Sequence, residues 1–235
     1  MSAVAIERPV SVRRPARIGF ATIGQTPRLD VVPAIVEALG RPVEVIEAGA
    51  LDGLDDAQIA RLGPQGDEYT FATRLADGRQ AVVGKSAAEA RLADVLMGMD
   101  GAGLDVIVAL CAGTSLPRLR RTMLIEPQRL VDGITAAFAA TSRRIGVVLP
   151  LEQQIARFRL EADVTAEVRL THASPYQGDR FAEAGRELAD CDVVVMHCMG
   201  YTSAMRAKVA AGAGVPTLSA PELVAGVLRQ VIDRP

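Results

Sequence analysis

Two cysteines stand in matching surroundings. Cys111 follows the apolar run in DVIVALCAGTS (105–115), and Cys198 follows the one in DVVVMHCMGYT (192–202). The two stretches align without a gap, pairing Asp105 with Asp192, Val108 with Val195, Cys111 with Cys198, Gly113 with Gly200 and Ser115 with Thr202. A single buried cysteine would need no explanation, because a free thiol behaves as a small hydrophobe. Here its neighbours are duplicated too, which asks for a chemical reason.

Two thiols on opposite sides of one bound molecule suit proton exchange at carbon. One takes a proton from one face and the other returns a proton to the opposite face, inverting the centre without a cofactor. A proton next to a carboxylate is weakly acidic, so the developing charge must be held by donors. The backbone N–H groups of Ala112, Gly113, Thr114 and Ser115, and of Met199, Gly200, Tyr201 and Thr202, are expected to supply them, with the hydroxyls of Thr114, Ser115 and Thr202. Gly113 and Gly200 would let the backbone approach a ligand closely. A helix N-terminus after each cysteine would attract an anion and favour thiolate. One cysteine should be thiolate and the other thiol in each direction.

For this to work, both cysteines must end strands on one side of a sheet, where ligands bind in open parallel α/β structures. The chain supplies that pattern. RIGFATIG (17–24), PVEVIEAGAL, LDVIVAL, RRIGVVLP (143–150), VTAEVRLTH and DVVVMH read as strands, most of them followed by helix-like stretches such as RLDVVPAIVEALG, closed by Gly40. Alternation of this kind means a parallel sheet flanked by helices. The Val- and Ile-rich strands suit a sheet covered on both faces. EYTFATRL and RQAVVG, joined by ADG, read as a β-hairpin inserted in the first half.

SAAEARLADVLMGM is expected to be a helix capped by Ser86, LEQQIARFRLE a helix, RLRR (118–121) a solvated helix face, and IEPQRLVDGITAAFAAT a bridging helix. AAGAGVP lacks the order of a dinucleotide loop and reads as a helix stop. The fold expected is α/β with two pseudo-symmetric lobes. The N-terminal lobe spans 17–130 and the C-terminal lobe 131–235, after a loose tail at 1–16, and the last helix may pack on the first lobe.

Composition narrows the function. A net charge of -2 offers no global field for nucleic acid or a membrane surface, and 3% aromatic residues leave few stacking platforms. A small polar ligand fits better. Three cysteines with no CxxC pair point to free thiols in a reducing, cytoplasmic setting. The N-terminal stretch does not read as a signal peptide, and no run approaches the roughly 18 apolar residues of a membrane span. The two histidines, His172 and His197, are too few for a zinc site, and His197 is expected on the strand face opposite Cys198. Cys191 sits at the wrong end of its strand for catalysis. Glu126 and Arg129 are expected to pair across the lobe junction, and Arg28, at a helix start, is placed for a ligand.

The opening ATIGQTPRLDVVP, the stretch TMLIEPQRLV and the CMGYT ending resemble the AroM family, within the aspartate/glutamate/hydantoin racemase superfamily. The resemblance spans about residues 17 to 232. It implies two pseudo-symmetric lobes, a site in the cleft between them, and cofactor-independent proton transfer by Cys111 and Cys198. Thr114, Ser115 and Thr202 would be carboxylate-binding positions, and Thr22, Gln25 and Arg28 would hold the substrate's other polar groups. Superfamily racemases carry Asn–Thr after the first cysteine and Thr–Glu after the second, where this chain has Ala112–Gly113 and Met199–Gly200. The function expected is a racemase or epimerase acting on a small, amino-acid-like carboxylate, with no cofactor or metal, no nucleic-acid or membrane partner, and room for a homodimer. A decarboxylase or lyase of the same superfamily, or a ligand-binding regulatory protein, is the alternative.

Overall fold

The computed structural model describes residues 14–111, 114–160 and 165–233. The expected tail therefore lies almost wholly outside the described residues, as do Ala112 and Gly113.

The first sheet contains β1 (Ala16–Thr22), β2 (Val43–Gly49), and two further strands, β5 (Val106–Ala109) and β6 (Met123–Ile125). Between β2 and β5 come the hairpin β3 (Thr70–Arg74) and β4 (Gln80–Gly84). The second sheet contains β7 (Arg144–Leu149), β8 (Glu167–His172), β9 (Val193–Met196) and β10 (Thr217–Ser219). Their orders are β2-β1-β5-β6 and β8-β7-β9-β10, all parallel. In each lobe the second strand in chain order is outermost, the first lies next to it, and the third and fourth follow. The duplication seen around the cysteines thus extends to the topology. Val108 pairs with Phe20 and Val195 with Val147, so the repeated residues occupy the same register position in each sheet.

The central strands are buried on both faces: Val106, Ile107, Val108, Val194 and Val195 have no exposed surface. Burying each such side chain contributes about 1.5–3 kcal/mol. Helices α1 (Val32–Leu39), α3 (Lys85–Met99), α4 (Pro127–Ala139), α5 (Phe181–Glu187), α6 (Ser203–Ala213) and α7 (Ala220–Ile232) cover them, with a short α2 at Asp56–Ala60. Helix α7 places Val224, Leu228 and Ile232 in one core with Ile35 and Leu39 of α1. Gly40 and Gly214 stop α1 and α6 at φ of 65° and 69°, the left-handed conformation that glycine adopts without a side-chain clash.

Several local expectations change. Helix α3 begins at Lys85 with Gly84 as its N-cap, so Ser86 lies inside the helix. The carboxylate of Glu68 accepts from Ser86 N at 3.0 Å, serving the helix end that a capping hydroxyl would have served. Residues 152–157 form a 3₁₀ turn. RLRR is not helical: residues 114–120 are irregular, and the chain returns to start β6 beside β5. The reason is a partner distant in the chain: Asp100 accepts hydrogen bonds from the backbone N–H groups of Arg120, Arg121 and Thr122 at 2.9–3.1 Å. Among the described residues, no helix is long and apolar enough to cross a membrane.

Candidate active site

Cys111 lies two residues beyond the end of β5, and Cys198 two residues beyond the end of β9. Leu110 N donates to Ala21 O at 2.6 Å and His197 N to Val148 O at 2.9 Å, so each thiol is carried by a backbone anchored to the first strand of its own lobe. Both cysteines line one cavity of about 340 Å³. The hairpin forms a further wall through Tyr69, Phe71 and Thr73. It is tied to the second lobe by Gln154 Nε2, which donates to Thr70 O at 2.9 Å, and by Ser174 Oγ, which donates to Gln80 Oε1 at 3.0 Å.

Arg28 is the buried cation of this cavity, 2% exposed. Its Nε and Nη2 each donate at 2.9 Å to the carboxylate of Asp30, Nη1 donates to Thr22 Oγ1 at 2.7 Å, and Nη2 also donates to Tyr176 Oη at 3.2 Å. These bonds use four of the guanidinium's five N–H groups. Burial opposes its charge, but Tyr176, Asp30 and Cys198 outweigh burial and hold its pKa above the usual range. Arg28 therefore acts on the cavity mainly through its field. Thr22 and Gln25 do not line the cavity. Thr22 accepts from Arg28 and from Gly24 N, and Gln25 bonds Leu51 O, Leu54 O and Ala76 N, joining the first strand loop to the hairpin.

Burial pushes the Cys111 thiol up to about 12, with the neighbouring Cys198 adding to the shift; Arg28, the Thr114 hydroxyl and Lys85 draw it back. Burial pushes Cys198 up to about 11, against Gly200 N–H and Arg28. The expected lowering by helix N-termini is overturned. Among the described residues no helix follows Cys111 directly, since 114–120 are irregular, and α6 begins only at Ser203, with the Thr202 hydroxyl accepting from Met205 N as its cap. Besides the Arg28 charge, the group that favours a thiolate at Cys198 is a single amide: Gly200 N–H points at Sγ, 3.4 Å away.

Other expected anion donors are already engaged. Ser115 N donates to Glu89 at 2.6 Å, Tyr201 N to Cys198 O, and Thr202 N to Met205 Sδ. Thr114, Ser115, Met199 and Gly200 line the cavity; Tyr201 and Thr202 do not, and the Tyr201 hydroxyl donates to Ala173 O at 2.9 Å. Cys191 is buried at the opposite end of β9. Glu126 and Arg129 form an ion pair at 3.1 Å on the cavity rim.

His197 lines the cavity beside Cys198, contrary to the expectation of opposite faces. Strand β9 ends at Met196, so strand alternation no longer separates the two at the sheet's carboxyl edge. His172 does not line the cavity; the Arg180 guanidinium lies 3.1 Å from its Nδ1. Tyr176, Gln154 and Asp132 also border the cavity and were not singled out in the sequence. Tyr176 and Gln154 sit just past the carboxyl ends of β8 and β7, a position that could have drawn attention to them. Among the described residues, no three His, Cys, Asp or Glu side chains group as a metal site.

The family profile described as AroM protein matches residues 18–232. The chain belongs to the AroM family. A comparison with curated protein sequences returned no match. Among solved structures, this AroM-family chain is similar to Nocardia farcinica maleate cis-trans isomerase, in a mutant form with a covalently bound succinylcysteine intermediate (TM-score 0.55, 15% identity, 94% of each chain covered). It is also similar to the maleate isomerase Iso from Pseudomonas putida S16 (TM-score 0.52, 15% identity, 94% of each chain). Arylmalonate decarboxylase follows at a TM-score of 0.50 and 14% identity, covering 93% of this chain and 94% of the other. At these identities the likeness is one of fold, a two-lobed α/β architecture.

Proposed function

We propose that this AroM-family protein is a cofactor-independent isomerase of the racemase or epimerase type, moving a proton at the carbon next to the carboxylate of a small substrate. The observation that carries the reading is the meeting of Cys111 and Cys198, from equivalent strand ends of two lobes, on one cavity with a buried Arg28. The similar solved structures of isomerases and a decarboxylase support an enzyme of this broad kind.

The two thiols are electrostatically coupled, because a thiolate at Cys198 raises the pKa of Cys111. The pair therefore carries at most one negative charge under ordinary conditions. Cys198 ionises first, with Gly200 N–H and the Arg28 charge favouring its thiolate. That thiolate takes the proton from carbon and becomes a thiol. The electron pair is left on the substrate's carboxylate-stabilised carbanion, Cys111 gives its proton to the opposite face, and Cys111 is now the thiolate. The reverse reaction exchanges the roles.

A second reading is favoured by the succinylcysteine in the Nocardia farcinica structure. One thiolate would add to the double bond of an unsaturated acid, the other thiol would protonate the neighbouring carbon, and elimination after rotation would release the other geometric isomer. Mass spectrometry separates the two, since only the second leaves an adduct on cysteine.

The deciding experiment incubates the protein in deuterated water with single enantiomers of amino and hydroxy acids. Deuterium should enter next to the carboxylate as the opposite enantiomer forms, without added pyridoxal phosphate or metal. Cys111→Ser and Cys198→Ser should each abolish inversion, because a hydroxyl is a poor base near neutral pH. Cys191→Ser should retain it. Inversion undiminished by either cavity replacement, or no exchange with any acid, would sink the proposal, and bound ligand without turnover would leave a binding protein.

A further inference from the structure

Three polar atoms on residues bordering the cavity are buried with no hydrogen-bond partner among the described residues: Gln154 Oε1, His197 Nδ1 and Thr73 Oγ1. The residues are 3%, 5% and 1% exposed. Buried polar groups in folded proteins are nearly always paired, and leaving one unpaired costs about 1–3 kcal/mol. All three residues belong to the lining of the cavity, which puts its occupant next to them.

The chemistry of two of these atoms follows from their neighbours. Gln154 Nε2 donates to Thr70 O, which can only accept, so the amide NH₂ faces the hairpin and Oε1 is left as an acceptor. Thr135 Oγ1 gives its single proton to Val131 O at 2.7 Å. At 3.0 Å from His197 Nε2 it must therefore accept, which assigns the ring proton to Nε2. Burial keeps the ring uncharged, its pKa lowered to about 3, so Nδ1 presents a lone pair. A carboxylate oxygen of Asp132 lies 3.7 Å from Nδ1. This wall consists of acceptors.

We infer that the ligand of this cavity is a carboxylate bearing a hydroxyl or ammonium group, which donates hydrogen bonds to Gln154 Oε1 and His197 Nδ1 beside Asp132. The inference rests on the reading of the cavity as the substrate site. A second carboxylate at this wall would meet only acceptors at Gln154 Oε1 and His197 Nδ1, so the wall selects against simple diacids. Thr73, whose hydroxyl can donate or accept, suits a hydroxyl or an amine equally.

The test is a titration series on four-carbon acids. Hydroxybutyrates and aminobutyrates, substituted at each carbon in turn, are compared with butyrate, succinate and maleate by calorimetry. The series is run on the parent protein and on the Cys111→Ser/Cys198→Ser double variant, which lacks both thiols. In both proteins the best donor-bearing acid should bind at least about tenfold more tightly than butyrate or either diacid, since a site with unpaired acceptors rejects the analogue lacking the donor. Gln154→Met should reduce that preference to below about threefold, and His197→Phe should act alike if the first variant does not fold. The inference is overturned if no donor-bearing acid outbinds butyrate, if succinate or maleate binds best, or if the preference survives these variants. A preference that persists while the parent shows no proton exchange removes the thiol chemistry and keeps the acceptor wall.

Discussion

Asp30 and Arg28 meet through two hydrogen bonds of 2.9 Å inside the protein, with side chains 9% and 2% exposed. Burial alone would push the Asp30 carboxyl up. The hydrogen bonds and charge of Arg28 outweigh it and hold the pKa below the ordinary carboxylate range. Because Arg28 also lines the cavity, the pair that neutralises its buried charge also sets the field at the thiols.

Asp30→Asn should leave the Arg28 charge buried without its counter-ion. Removing one partner of a buried pair costs about 3 kcal/mol or more, read as a shift in urea unfolding at neutral pH. The sign with pH is fixed by the depressed carboxyl: its contribution is present above the unfolded pKa of about 4 and is lost as pH falls through the lower folded value. The gap between parent and variant should therefore narrow under acid conditions. A loss below about 0.5 kcal/mol, the range of an ordinary surface change, would contradict the burial argument.

The cavity thiols give the opposite dependence. Burial pushes Cys111 up to about 12 and Cys198 up to about 11, above the ordinary value of 9.0, so their protonated forms favour the native state. That stability is complete below pH 9 and is lost as pH rises through the folded values, because the unfolded chain releases its protons first. At pH 10 each thiol should destabilise the protein by about 1 kcal/mol relative to pH 8. Unfolding of the Cys111→Ser/Cys198→Ser protein at the two pH values should show a correspondingly smaller drop, and an equal drop would show that other groups carry it.

Gly200 packs closely against Tyr176: a Cβ there would lie 2.4 Å from Tyr176 Oη and 2.8 Å from its Cζ. Gly200→Ala should displace Tyr176, break its contact with Arg28 and reshape the wall beside Cys198. We expect destabilisation of about 1–3 kcal/mol from overpacking and a larger effect on ligand affinity than on folding. Unchanged affinity in a folded variant would mean that this wall does not touch the ligand.

The sheets, the hairpin and the position of both cysteines were legible because their determinants are local. Continuous Val and Ile runs, Gly-bounded ends and the gapless repeat around Cys111 and Cys198 need no knowledge of distant contacts. Where the reading failed, a long-range partner decided the outcome. Asp100 ties the backbone of Arg120–Thr122 across the lobe and keeps RLRR from coiling, and Glu68, from the loop before the hairpin, bonds the first turn of α3. The three-residue strand β6 forms only because β5 lies beside it.

By itself the sequence determined the alternation of strand and helix, the duplication, and the two thiols at strand ends, since these follow from residue type and period. Tertiary structure decided their environment. Burial raised both thiols where local reasoning had lowered them, because desolvation depends on everything packed around a group and not on its neighbours in the chain. Folding also turned Arg28 inward onto Asp30, spent Thr22 and Gln25 on internal bonds, and brought Gln154, Tyr176 and His197 to one cavity. Those residues are far apart in the chain or face apart in an ideal strand, so only the closing of two lobes and a hairpin around one space brings them together.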